Sequence, residues 1–336
     1  MTKRTGLILL CTVLCILLVY VLANHNNPDQ SNVESTPPVV TEVAISILVD
    51  EYNRQITAYN EAAMAYNDSI QVLADANSVL DKAIADAQAV LDSGDIPFDP
   101  GTTTNLGATI QSASMARVSL PDLIPAKVPV DIPDGATAGD INDLRVFLTD
   151  DANSVQVDQI PLPLSAPDYT QVITDLANAQ RAYEQSVTIQ RQITAPSDDF
   201  VLERLKQIDS ILSLAAVTKS NDPNGLLETE GGYIGCIYFS DSRVDKTKLD
   251  LNPSQYDVIS MGTIGGGAIE IYATREDAEA RNQYLSKYDG TDLDPGSHTV
   301  LGTMVIRASS QLSEKQQGEL TNQIVDLMTE LIDDTV

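Results

Sequence analysis

The chain has no tryptophan, four phenylalanines, three cysteines and two histidines in 336 residues. Each scarcity excludes something. Without Trp and with little Phe, the stacking platforms that hold sugars or cage ammonium groups are hard to build. Two histidines and three cysteines are too few for metal centres of the His/Cys type. Cys11 and Cys15 lie together in an apolar N-terminal run, which leaves Cys236 without a disulfide partner in the rest of the chain. It sits in an apolar stretch, where a thiol is buried and inert rather than reactive. Basic residues are also short, 20 Lys and Arg against 48 Asp and Glu, for a net charge of −28. Such a surface disfavours nucleic acid and anionic lipid, and favours solubility and divalent cations.

Residues 6–23 read GLILLCTVLCILLVYVLA, eighteen residues without a charge. As a helix they would span about 27 Å, enough for a bilayer core. Lys3 and Arg4 precede them and the next basic side chain is Arg54, so the bias of cationic residues predicts a cytoplasmic N-terminus and an extracytoplasmic bulk. A signal peptide cleaved after Ala23 is the alternative, and it also exports the chain. Leu10 before Cys11 and Leu14 before Cys15 rule out a bacterial lipid-modified cysteine, which needs a small residue there.

Residues 24–40 are polar, with three prolines, and read as a tether. From Ile45 to Leu91 a seven-residue repeat then runs without a slip. Its seam is Ile45, Val49, Tyr52, Ile56, Tyr59, Ala63, Tyr66, Ile70, Leu73, Asn77, Leu80, Ile84, Ala87 and Leu91. Tyr-Asn recurs within it at 52–53, 59–60 and 66–67. A sustained 3.5-residue period predicts a helix with a helical partner. Tyr52, Tyr59 and Tyr66 then belong to the buried seam rather than to a partner-binding stripe.

Nine of the sixteen prolines fall in 94–167, which favours extended or polyproline backbone and no long helix. A short helix at 140–149 is expected, with Asp140 as its cap. Helical periodicity returns at 168–193, and again at 197–217 after Pro196, with Ser197 as N-cap. The two legs, 41–92 and 168–217, match in length and predict an antiparallel coiled-coil hairpin carrying 94–167 as a proline-rich tip. A parallel homodimer is the rival, with Asn77 pairing across the seam to fix register.

Residues 219–336 read as an α+β domain. Strands are expected at 233–239, 268–272 and 299–307, with helices opening at the capping boxes Thr274/Asp277 and Ser313/Gln316, in the order β, β, α, β, α. The phrases Gly231-Gly232-Tyr233, Gly265-Gly266-Gly267-Ala268-Ile269-Glu270-Ile271-Tyr272, Glu276-Asp277-Ala278-Glu279-Ala280-Arg281-Asn282, Gly296-Ser297-His298 and Val305-Ile306-Arg307, with the Tyr-Asn heptads, resemble a C-terminal module and coiled coil of membrane-anchored surface proteins of Gram-positive bacteria. The resemblance covers about two thirds of the chain and implies topology and architecture, with no assigned activity. An exported chain without disulfides suits that setting.

One loop, Ser220 to Glu230, carries candidate chemistry. Asp222, Asn224 and Gly225 fit the third, fifth and sixth places of a calcium loop, and Glu228 or Glu230 could close it. Ser220 and Gly231 stand where that pattern wants acids, and Asp-Pro-Asn-Gly is also a β-turn in its own right. Gly265-Gly266-Gly267 lacks the Lys and the following helix of a phosphate loop and reads as a tight turn. Ser297 and His298 are neighbours on a strand, facing opposite ways, so they make no nucleophile–base pair. A carboxylate pair acting on a glycan would need an acid of raised pKa in a cleft.

The sequence thus predicts a single-pass, extracytoplasmic structural or interaction protein of the bacterial envelope, non-enzymatic, with itself or another envelope protein as partner. The alternatives are a ligand- or calcium-binding sensor and an envelope-glycan enzyme.

Overall fold

A computed structural model describes residues 42–249, 251–252 and 257–332. The expected membrane segment and tether lie outside these residues. Among the described residues no helix is long and apolar enough to cross a membrane. The fold is mixed α and β, with eight α-helices and one five-stranded antiparallel sheet among the described residues. It divides into two compact units, one of residues up to Asp68 with Leu123–Pro163, the other of Ser69–Asp122 with Leu164–Val336.

Helix α1 (Glu42–Leu91) contributes to both units. Its heptad seam is buried as expected, but its partner is not one matching helix. In the first unit Ile45, Val49, Tyr52 and Ile56 pack with Leu148 of α3 (Ala138–Asp151), with Val155, and with Val130 and Ile132 of an extended run. In the second, Leu80 and Ala87 pack with Leu106, Ile110 and Ala113 of α2 (Gly101–Ala116) and with Leu176, Ala179, Tyr183 and Val187 of α4 (Thr170–Gln192). A heptad reports that one face of a helix is covered. It does not say by what.

Three expectations are corrected here. Helix α2 forms inside the proline-rich stretch because Pro100 stands at its N-cap and the next proline is Pro121, leaving a proline-free window. The run 117–133 does not form a tip. It returns along the N-terminal half of α1, where Ile124, Lys127 and Val130 meet Asn67, Asn60 and Asn53. Helix α3 is capped by Thr137, with Asp140 as the third-position partner of a capping box rather than as the cap.

The expected helix over 197–217 is also two different elements. Ser197 does cap a helix, α5 (Asp198–Leu205), but strand β1 (Ile211–Ala216) follows. Helical and strand readings compete in a run as short as Ile211-Leu212-Ser213-Leu214, and the sheet prevails because it completes the ladder on β2. The sheet therefore begins before residue 219, inside the expected hairpin.

The sheet order is β1, β2 (Gly235–Asp241), β3 (Gly266–Ile271), β5 (Met304–Ala308), β4 (His298–Leu301). The expected third strand is a hairpin, because Gly302 takes φ +59 and turns the chain. A one-turn helix, α6 (Val258–Met261), and a 3-10 turn lead into β3. One face packs on α5 and α8 (Glu314–Thr329) through Ile237, Phe239, Ile269, Ile306, Leu320 and Ile324. The other is covered by α7 (Arg275–Leu285) and the 218–233 loop through Tyr233, Tyr238, Tyr272, Ala278 and Leu285. The Ser313/Gln316 capping box opens α8 as expected.

Candidate functional site

The first unit holds a repeated polar arrangement. Asn53, Asn60 and Asn67 each clamp one residue of the extended run through both amide atoms. Their Nδ2 groups donate to the carbonyls of Val130, Lys127 and Ile124 at 2.7, 2.8 and 2.8 Å. Their Oδ1 atoms accept from the N–H of the same three residues at 2.8, 2.8 and 2.9 Å. The clamps advance seven residues on α1 for every three on the extended run, in opposite directions. Seven helical residues rise about 10.5 Å and three polyproline residues about 9.3 Å, so the two periods nearly mesh. Burial follows the same period: Ile124, Lys127 and Val130 are half-buried and the residues between them exposed.

The seam residues serve this lacing. Tyr52 donates to Asp151 Oδ2 at 2.5 Å, and burial followed by that carboxylate pushes its hydroxyl up to about 12. Tyr59 lies 5.5 Å under the Lys127 ammonium, and Tyr66 is buried. In the second unit Asn77 donates to the Val118 carbonyl and accepts from the Tyr169 hydroxyl, at 2.8 and 2.7 Å. Its amide is therefore engaged within the chain. The repeat of Tyr-Asn is visible in the sequence, but the asparagines stand one position off the seam and the period does not show what they meet.

The loop residues Asp222, Asn224, Glu228 and Glu230 do not converge as ligands. Asp222 Oδ2 accepts from the amides of Leu226 and Leu227 at 2.7 and 2.8 Å. Its Oδ1 accepts from the Asn224 amide at 2.9 Å and from the Tyr233 hydroxyl. Burial would raise this carboxyl, and the four donors outweigh it and hold it below its usual range. Asn224 Nδ2 turns inward to the Tyr238 hydroxyl, 3.0 Å away, and Glu228 pairs with Lys219. Among the described residues no group of three or more His, Cys, Asp or Glu side chains could hold a metal ion.

Sequence reasoning missed a buried charge network on β3. Glu270 is fully buried and shared by two guanidiniums. Arg281 Nε and Nη2 donate to it at 2.8 and 3.0 Å, Arg307 Nη1 at 2.8 Å and the Tyr272 hydroxyl at 2.9 Å. Burial would raise the Glu270 carboxyl, and the two arginines bring it below its ordinary value. Cys236, cross-strand from Glu270, is pushed well up by burial and then by that carboxylate, so the thiol is inert. The only hint in the sequence was an acid in the middle of an apolar strand.

The remaining candidates have structural roles. A Cβ on Gly267 would stand 2.2 Å from the Arg307 carbonyl, so the glycine run is a close strand approach. His298 places Nδ1 2.7 Å from Asn282 Oδ1 and Nε2 3.0 Å from Asp289 Oδ1, and neither nitrogen engages Ser297. Asp198 is the one described carboxyl shifted upward, by burial and then by Asp199. It lines a shallow cleft of about 410 Å³ with Pro196, Ile234 and Gly235. Asp199 lines the same cleft, one helical position and about 100° away from Asp198. A wider cleft, about 880 Å³, is lined by Ile96, Phe98, Arg191, Arg275 and Glu276 among others.

No protein-family model, no curated protein and no solved structure matches this chain.

Proposed function

We propose that this protein is a non-enzymatic structural or interaction protein of the bacterial cell envelope, anchored at residues 6–23, in which laced α1 is a stiff spacer and the α+β region is the part presented. One observation carries the reading: three successive asparagines of α1 spend both amide atoms on the backbone of the returning run. That repeated device stiffens a helix. It suits a spacer better than a catalyst, whose groups converge on one point. The apolar run at 6–23 and the likeness to anchored Gram-positive surface proteins support the location.

Two measurements test it. Antibody against the α+β region should stain intact cells making the full chain, and signal only after permeabilisation overturns the location. In the triple variant Asn53→Ala, Asn60→Ala, Asn67→Ala, amide exchange over 117–133 should accelerate while the β2–β3 ladder stays protected. Unchanged protection of 117–133 overturns the spacer role.

A further inference from the structure

We infer that His298 is a proton-operated latch, whose charged ring fastens the loop 286–297 to the sheet and whose neutral ring loosens it. The inference stands apart from the spacer role. His298 is the one histidine among the described residues. Imidazole is the side chain that ordinarily changes charge between about pH 5 and 8.

The loop joins α7 to β4 and holds its own shape. Asp294 accepts from the amides of Gly290 and Gly296 at 3.0 and 2.8 Å. The amides of Thr291 and Asp294 donate to the carbonyls of Tyr288 and Thr291. These bonds close the loop on itself. The His298 ring, 6% exposed, ties it to the sheet. Its Nε2 lies 3.0 Å from Asp289 Oδ1 of the loop, and its Nδ1 2.7 Å from Asn282 Oδ1 of α7.

A cationic ring donates an N–H to each of those oxygens. A neutral ring carries a single N–H, so one contact must lose its donor. Asn282 can turn its amide to suit a neutral ring, but the ion pair with Asp289 is lost all the same. The other charges nearby leave that pair in control. Asp294 also faces the ring from the loop: the Gly296 and Gly290 amides hold its carboxyl below the usual range against burial, and the His298 charge adds to them. Lys287 turns to the Tyr284 ring. Arg307 stands across from His298 on β5, yet its guanidinium, like that of Arg281 on α7, is held by Glu270. From α8 comes neutral Gln317, on the Ser297 amide. The latch is therefore complete on the acid side, down to the carboxylate range near about 4, and loosens as pH rises.

Amide exchange of the full chain in detergent micelles, expressed as protection relative to the free-peptide rate at each pH, tests this. Protection of 286–296 should be about fivefold higher at about pH 5.5 than at about pH 7.5, with β2 and β3 unchanged. His298→Gln should remove the difference. Asp289→Asn, which keeps the acceptor's shape without its charge, should cut it below about twofold. Because a new side chain could disturb β4, NMR of the unsubstituted chain supplies a second reading. The His298 ring signals and the amide signals of 288–290 should shift with one midpoint. Equal protection at the two pH values overturns the inference. So does a difference that survives His298→Gln, or a ring that titrates while the loop amides stay still.

Discussion

The laced half of α1 and the centre of the sheet both use buried or half-buried polar groups, in opposite ways. Along α1 the asparagines repeat, each holds one residue of the extended run, and each stands at a half-exposed position where water is near. In the sheet a single carboxylate, Glu270, is shared by two arginines and accepts from a tyrosine hydroxyl, with no exposed atom of its own. Loss of one clamp leaves two others and lets water satisfy the freed backbone. Loss of Glu270 leaves two guanidiniums facing each other out of water. Redundancy, more than bond count, decides how much one residue matters.

The sharpest way to break this comparison is Glu270→Gln. Stranding Arg281 and Arg307 should cost about 3–5 kcal/mol, read as a large fall in the denaturant midpoint of the sheet. The carboxyl is depressed in the folded state, so its contribution is full above the unfolded value of about 4.3 and is lost as pH falls through the folded value. The wild-type chain should therefore lose stability on acidification in a way that Glu270→Gln does not. Equal acid slopes in the two chains would show that the network adds nothing.

Asp222→Ala comes next. It strands the amides of Asn224, Leu226 and Leu227 and the Tyr233 hydroxyl, for about 2 kcal/mol. Since those donors already occupy both carboxylate oxygens, millimolar calcium should raise the wild-type melting temperature by less than about 1 °C. A rise of several degrees that vanishes in Asp222→Ala would revive the calcium loop. The smallest effect belongs to Asn60→Ala, about 1 kcal/mol, and local. Amide exchange should quicken at Lys127 while Ile124 and Val130 remain protected. A loss that spread to all three would mean the clamps act as one unit.

Much of the architecture was legible because it rests on short-range rules. Ser197, Thr274 and Ser313 each cap a helix where a cap was expected, although the one behind Ser197 ends at Leu205, and the 3.5 period of α1 named its buried face. What covers that face was not legible, since leucines on another helix and an extended run present the same apolar seam partner. Strand β1 was hidden by a chance helical spacing of Val201, Leu205, Ile208, Leu212 and Ala215, and its ladder on β2 is non-local. The loop at 220–230 looked like a ligand site because Asp and Asn serve turns and cations with the same oxygens. Its inward partner, Tyr233, is a tertiary contact that the spacing of Asp and Asn does not display.

The seven-to-three gearing of Asn53, Asn60 and Asn67 with Val130, Lys127 and Ile124 also restricts how a gene for such a protein can change length. One residue gained by the helix alone throws every clamp beyond it out of phase, and so does one gained by the extended run. Lengthening succeeds only as a paired event, seven codons in one place and three in another, far apart in the reading frame. Length variants of this chain should therefore differ in quanta of ten residues, split seven and three on either side of the segment that contains α2.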